Sequence, residues 1–248
     1  MGGFLLRNYV WLISGVELLA ALTGLLVLKY YRHTYTRYFI YFLVCIAICD
    51  FIGFYTWLVE PDKIFSFLIG TLIEKNYWWS TLYWSIGAIV FYTFYFEKIL
   101  QTHVFKVTLK VSNIIFLIFA FIYIGLNFDA YFSRFFPSIK VFGAVLIMLC
   151  SIFYFIELLN SDKLLNFYKF INFYISFVLF IWWLVITPIV FYDGYSAYEI
   201  GVPIKDRAYI ILRRYIYLFV NLFMYLTFTF AFIWCRQEAK KSKITDKH

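Results

Sequence analysis

Charged residues are scarce in this chain: Asp, Glu, Lys and Arg make up 15% of it, while 64% of the residues are hydrophobic and 25% are aromatic. Water-soluble domains contain about a quarter charged and about half apolar residues. A soluble protein of this length could not bury so much apolar surface, so the composition excludes a soluble globular domain. Since no polar stretch is long enough to fold alone, we expect a single domain whose solvent is the lipid bilayer.

Residues that usually carry catalysis or bind metals are also few. The three histidines, His33, His103 and His248, lie outside the long apolar segments, and the four cysteines show neither a CxxC pair nor zinc spacing. The sequence has no HExxH pair, no Gly-x-Ser-x-Gly elbow and no phosphate-binding glycine loop. Histidine-bound haem or metal inside the membrane is therefore excluded. We expect no cofactor and predict that the protein is not an enzyme.

Seven apolar segments have the length of about 20 residues that a helix needs to cross a bilayer. They predict an all-α fold, a polytopic bundle of seven transmembrane helices within residues 1–235, followed by a basic cytoplasmic tail at 236–248. Tyr and Trp cluster near several predicted ends, as is typical of side chains at the headgroup level. The predicted spans are residues 9–28, 38–59, 78–97, 111–128, 139–159, 170–192 and 213–235.

Basic residues indicate the orientation of the spans, because cytoplasmic loops carry an excess of Lys and Arg. Thirteen of the 22 Lys and Arg residues fall in the loops after spans 1, 3 and 5 and in the C-terminal tail, and nine fall on the other side. We therefore expect an outside N-terminus and a cytoplasmic C-terminus in a bacterial cytoplasmic membrane. The net charge of +8 fits this topology, and no nucleic acid is expected. The lipid bilayer is the expected partner, and an additional membrane or cytoplasmic protein partner stays open.

Two carboxylic acids lie inside predicted spans, where ionisable groups are rare and costly. Glu17 lies eight residues from the outer start of span 1, and Asp50 lies nine residues from the outer end of span 2. At a rise of 1.5 Å per residue, both lie roughly 12–14 Å below the outer surface. Small residues flank each acid at helical spacing and favour close helix packing, so we predict that the two carboxyls face each other. Glu157, near the cytoplasmic end of span 5, is predicted to be a solvated interfacial acid.

Span 7 adds polar groups to this prediction, because Tyr217, Asn221 and Tyr225 follow one another at intervals of four residues. Asn221 is expected at the level of the two acids. Two carboxyls in contact in a low dielectric do not both ionise without a cation. The residues Glu17, Asp50, Asn221, Tyr217 and Tyr225 therefore predict a ligand site or a proton-sharing pair. The sequence leaves open an alternative, a neutral acid that hydrogen-bonds to Asn221 or a Tyr and fixes the helix packing.

Three stretches of the chain carry a resemblance to other proteins. They read VELLAALTGLLVLKYYRHTYTRYFIYFLVCIAICD at 16–50, FIELLN at 155–160 and NLFMY at 221–225. In these stretches the chain resembles small uncharacterised seven-span membrane proteins of flavobacterial type. The resemblance implies the seven-helix membrane fold, and because no activity is known for the group it implies nothing about mechanism.

Three functions are compatible with these observations. The favoured prediction is a non-enzymatic sensor, receptor-like protein or accessory membrane subunit with a buried acidic site in the outer half of the bundle. The alternative is a proton- or cation-coupled transporter of small solutes that uses Glu17 and Asp50. The lack of an internal repeat, which many carriers have, disfavours the transporter. An intramembrane enzyme is disfavoured because no catalytic set is present.

Overall fold

The computed structural model describes residues 2–199, 207–236 and 238, and over these residues it contains helices and no strand. The predicted all-α class is confirmed. The predicted tail at 236–248 lies almost wholly outside the described residues. The α-helices are α1 Gly2–Arg7, α2 Tyr9–Tyr31, α3 Thr36–Gly53, α4 Tyr77–Ser80, α5 Ile89–Ile99, α6 His103–Leu126, α7 Phe128–Ser133, α8 Pro137–Leu159, α9 Ile171–Glu199 and α10 Arg207–Trp234.

Six of the described helices are long and apolar enough to cross a membrane: α2, α3 with a short 3-10 extension to Leu58, α6, α8, α9 and α10. The fold is thus an all-helical one of membrane type. The third predicted span, 78–97, is not among the six, so the predicted count of seven is not confirmed. In that region α4 leads into a π-helix, Thr81–Ala88, which continues as α5. Its α-helical parts are short, and many Tyr, Trp, Ser and Thr residues make it less apolar.

Two of the long helices begin earlier than the apolar pattern predicts. The fourth predicted span starts at 111, but α6 begins at His103; the seventh starts at 213, but α10 begins at Arg207. Basic residues lie in both extensions. They lower the hydropathy of the sequence, yet a helix can continue past the hydrocarbon layer because its backbone hydrogen bonds do not depend on the apolar pattern.

The long helices pack side by side in a closed ring. α3 packs on α2, α2 on α10, α10 on α9, α9 on α8, and α8 on α5 and α6, while α5 also contacts α3. An aromatic cluster stabilises part of this helix arrangement. The centroid of the Phe39 side chain in α3 lies 5.6 Å from the ring centroid of Tyr95, 5.0 Å from that of Phe228 and 6.2 Å from that of Phe232. These separations are in the favourable range for aromatic pairs. The cluster joins α3 and α5 to α10, which are far apart in the sequence.

An acid from α8 holds the start of α6. Glu157 accepts hydrogen bonds from the backbone N–H of Gln101, at 2.9 and 3.0 Å, and of Thr102, at 2.6 Å. Thr102 is the residue at which α6 is capped, and N–H groups at a helix start have no partner within the helix. Glu157 is partly exposed, and it has a role that its sequence position does not predict, because it binds the backbone that enters α6.

Candidate functional site

Glu17 of α2 and Asp50 of α3 lie together in the bundle. The Glu17 side chain is nearly inaccessible, with 1% of its surface exposed, and its carboxyl lies close enough to that of Asp50 for the two charges to interact. Residues 32–35 join the two helices in a short turn, so α2 and α3 pack antiparallel with little freedom to slide. The structure thus brings together the two acids that the sequence analysis places at equal depth.

Tyrosine hydroxyls surround the acidic pair on its interior side. Tyr83 donates a hydrogen bond to Oδ1 of Asp50, and Tyr225, with 3% of its surface exposed, lies close to Glu17. Tyr92 is a third, with 3% of its surface exposed and close enough to Glu17 for an electrostatic interaction. The pair is therefore enclosed on this side by aromatic rings that present polar groups to it.

Tyr83 is a site residue that the sequence analysis does not predict. It lies in the π-helix Thr81–Ala88, and a π-helical segment widens the turn and changes which side chains face a neighbouring helix. Gly87 fits this backbone, because a Cβ there would lie 3.2 Å from the carbonyl oxygen of Leu82. A glycine within an aromatic segment is the one sequence signal that could have indicated the irregular helix.

The remaining predicted site residues have other partners. Asn221 accepts a hydrogen bond from Nε1 of Trp182 at 3.2 Å and donates one to the backbone oxygen of Tyr217 at 2.7 Å. The ring of Tyr217 lies 5.4 Å from the guanidinium of Arg213. The packing of α10 on α2 brings Tyr225, which the sequence also predicts, beside Glu17 and leaves Asn221 one turn away from it. Of the alternative that the sequence leaves open, the bond from Asn221 to an acid is not observed, whereas a bond from a Tyr to an acid is, between Tyr83 and Asp50.

Arg213 belongs to a separate charged cluster where α9 and α10 meet. Its Nη2 lies 2.8 Å from Oδ2 of Asp193, and their side chains are 41% and 24% exposed. Tyr209 donates a hydrogen bond of 2.8 Å to the other carboxylate oxygen of Asp193. Exposed ion pairs of this kind contribute about 0–1 kcal/mol. The cluster ties together the ends of two helices and is distinct from the acidic pair.

A groove of about 300 Å³ opens between α2 and α3 on the periphery of the bundle. Exposed apolar side chains surround it, among them Leu18, 52% exposed, and Phe51, 75% exposed. Both acids line it, and within the described part of the chain Oε1 of Glu17 is buried and has no hydrogen-bond partner. The lining residues are Ser14, Glu17, Leu18, Ala21, Leu22, Leu25, Val44, Ala47, Ile48, Asp50, Phe51 and Phe54.

The chemistry of this arrangement follows from the proximity of two carboxyls in an apolar environment. Two negative charges so close repel each other strongly, so the pair either shares a proton or binds a positive charge. Over the described residues, no three His, Cys, Asp or Glu side chains come together as metal ligands. The acidic pair is thus suited to one proton or to one monovalent cationic group.

Comparisons of the chain with protein-family models, with curated proteins and with solved structures found no match. The resemblance to seven-span proteins of flavobacterial type therefore stays a prediction.

Proposed function

We propose that the protein is a non-enzymatic, receptor-like or accessory membrane protein that binds a small ligand at Glu17 and Asp50. The observation that carries this proposal is the buried oxygen of Glu17, which has no hydrogen-bond partner in the described part of the chain. An acid that served packing alone would have its oxygens paired, because an unpaired buried polar atom costs about 1–3 kcal/mol. Because Glu17 lines a groove, a ligand bound there could move against this oxygen and complete its hydrogen bonding.

The proposal includes a seventh span formed by residues 77–99. Three side chains of α5, those of Ile89, Tyr95 and Phe96, are 0% exposed, and α5 packs against α3, α6 and α8. A segment with neighbours on three sides belongs inside the bundle even though its own sequence is less apolar. With seven spans, the distribution of basic residues puts the N-terminus outside and the C-terminus in the cytoplasm of a bacterial cytoplasmic membrane. The acidic pair then lies in the outer half of the bilayer.

The second candidate function is a proton- or cation-coupled carrier. It is favoured by the hydroxyls of Tyr83, Tyr92 and Tyr225, which extend the polar environment of the acids toward the interior. A proton shared by Glu17 and Asp50 could pass to such groups, since buried acids in membranes often serve as proton relays. Transport needs a path to both sides of the membrane, whereas binding needs only the groove, so receptor-like binding is the simpler function.

The ligand-binding proposal is tested with the variants Glu17→Gln and Asp50→Asn, which keep the size of each side chain and remove its charge. The purified protein is placed in lipid nanodiscs, and its thermal unfolding is followed against pH and against a panel of small cations and amines. We expect the wild type to be stabilised by at least one of these conditions and both variants to lose that response. A wild type that responds to none of them, with variants that differ only in stability, would show that the acids serve packing.

Receptor-like binding and transport are separated by a flux measurement. Proteoliposomes are loaded with a pH-sensitive dye, and a cation or amine gradient is imposed. A receptor-like protein gives the same slow proton leak as empty liposomes. A wild-type flux that Glu17→Gln abolishes would instead establish the carrier.

A further inference from the structure

The groove that Glu17 and Asp50 line opens on the periphery of the bundle, where a membrane protein meets lipid. Leu22 and Phe51 flank the groove between α2 and α3 and are 50% and 75% exposed. Apolar side chains so exposed on helices of this hydropathy contact acyl chains. A molecule that reaches Glu17 through this groove therefore comes from the bilayer and has an apolar part.

On the opposite side, the pair is covered by tyrosines. Asp50 accepts the hydrogen bond of Tyr83, and Tyr92 and Tyr225 are each 3% exposed. These side chains occupy the space between the acids and the interior of the helix ring. The groove is thus the open approach to the acids, and a ligand approaching from the lipid meets the carboxyls before it meets the tyrosines.

The charge of the pair has no counterpart among the residues that the structure describes. The ion pairs formed by described residues involve Glu60, Glu97 and Asp193, and none includes Glu17 or Asp50. Oε1 of Glu17 also lacks a hydrogen-bond donor among the residues that the structure describes. A ligand with one positive charge and more than one N–H donor would satisfy both requirements, and a primary ammonium has these properties.

We propose that the groove binds an amphiphile with one protonated amine on an unbranched apolar chain, taken up sideways from the bilayer. This rests on the ligand-binding function proposed above and names its ligand class. The ammonium donates hydrogen bonds to Glu17 and Asp50, and the chain lies against the apolar side chains of α2 and α3. A groove of about 300 Å³ is at the small end of ligand sites. It holds the amine and part of a chain, but not a partner helix, whose diameter is about 10 Å.

The test uses dodecylamine as the probe and the full-length protein in nanodiscs of zwitterionic lipid at neutral pH, with empty nanodiscs to correct for partitioning. Equilibrium binding of labelled dodecylamine is expected to be saturable. Dodecanol lacks the charge and ethylamine lacks the chain, so each should compete about 10-fold to 100-fold less well. Glu17→Gln and Asp50→Asn should weaken dodecylamine binding by a similar factor.

A second pair of variants tests the location of the site without altering an acid. Ala47→Leu places a larger side chain in the groove and is expected to weaken dodecylamine binding about tenfold. Gly15→Leu is the matched control, because a Cβ at Gly15 has no described atom within 4 Å and the position does not line the groove. It should bind as the wild type does. Should Glu17→Gln fail to fold, Asp50→Asn and Ala47→Leu give the same readout.

The outcomes distinguish this inference from the ligand-binding proposal on which it rests. Dodecanol binding as tightly as dodecylamine, or full binding by Ala47→Leu, would overturn the amine-in-groove assignment. A wild type that responds to ethylamine or to protons but not to dodecylamine would overturn the inference and leave the acidic pair as a ligand site. A wild type that responds to none of dodecylamine, ethylamine and protons would refute both this inference and the ligand-binding proposal.

Discussion

Replacing Glu157 by Ala should destabilise the protein measurably, although this residue is remote from the acidic pair. The change removes three hydrogen bonds, of 2.6 to 3.0 Å, to the backbone N–H groups of Gln101 and Thr102. A charged acceptor makes each bond stronger than a neutral one, but water can reach these half-exposed N–H groups in the variant. We therefore expect a loss of about 1–3 kcal/mol, close to that of losing a helix cap. Glu157→Gln keeps one acceptor oxygen and should lose about half as much.

The assay is thermal unfolding in detergent micelles, followed by circular dichroism. A loss of this size lowers the melting temperature by about 2–10 °C in a protein of this length. The matched control is Glu97→Ala at the end of α5, since Glu97 is 3.9 Å from Lys98 in a partly exposed ion pair and such pairs contribute about 0–1 kcal/mol. Hydrogen exchange at the amides of Gln101 and Thr102 should accelerate only in the Glu157 variants. Equal melting temperatures for Glu157→Ala and Glu97→Ala would refute the capping role.

The remaining predictions concern the packing of the bundle. Gly143→Ala should cost about 1–3 kcal/mol, because the new Cβ would lie 2.8 Å from Cγ1 of the buried Ile89. Gly125→Ala, whose Cβ has no described atom within 4 Å, should instead be neutral or up to about 1 kcal/mol more stable; equal melting temperatures would contradict the contact. Trp182→Phe removes the donor to Asn221 and should cost about 0.5–1.5 kcal/mol. A double-mutant cycle with Asn221→Leu that gives strictly additive losses would argue against this bond.

Equal depth of Glu17 and Asp50 could be predicted because a short turn fixes how far α2 and α3 can slide. When only residues 32–35 separate two antiparallel helices, counting residues from that turn places any side chain to within about one helical turn. The same counting works poorly between helices far apart in the sequence. There the axial position depends on packing and on where each helix begins.

The other members of the site show the two ways in which such counting fails. Asn221 is predicted at the depth of the acids, but Tyr225, one turn further along α10, lies beside Glu17, because the axial position of α10 is set by its packing on α2 and leaves no signal in its own sequence. Tyr83 was missed because a π-helix changes the register of its segment, and hydrophobic periodicity at 3.6 residues per turn cannot detect this change. In both cases the side chain that lies beside the acids is a tyrosine.

Glu17 lines a groove on the periphery of the bundle, and this position bears on whether the acid serves helix packing or ligand binding. A carboxyl that served packing alone could be paired by tyrosine hydroxyls, as Oδ1 of Asp50 is by Tyr83. Glu17 also lines a peripheral groove, where its Oε1 meets no donor from the described chain and surrounding lipid chains offer none. A protein that retains this arrangement forgoes stability that a leucine would restore, since apolar replacements of buried charged groups are often neutral or stabilising. Such a loss is typical of sites that bind, where stability and function oppose each other.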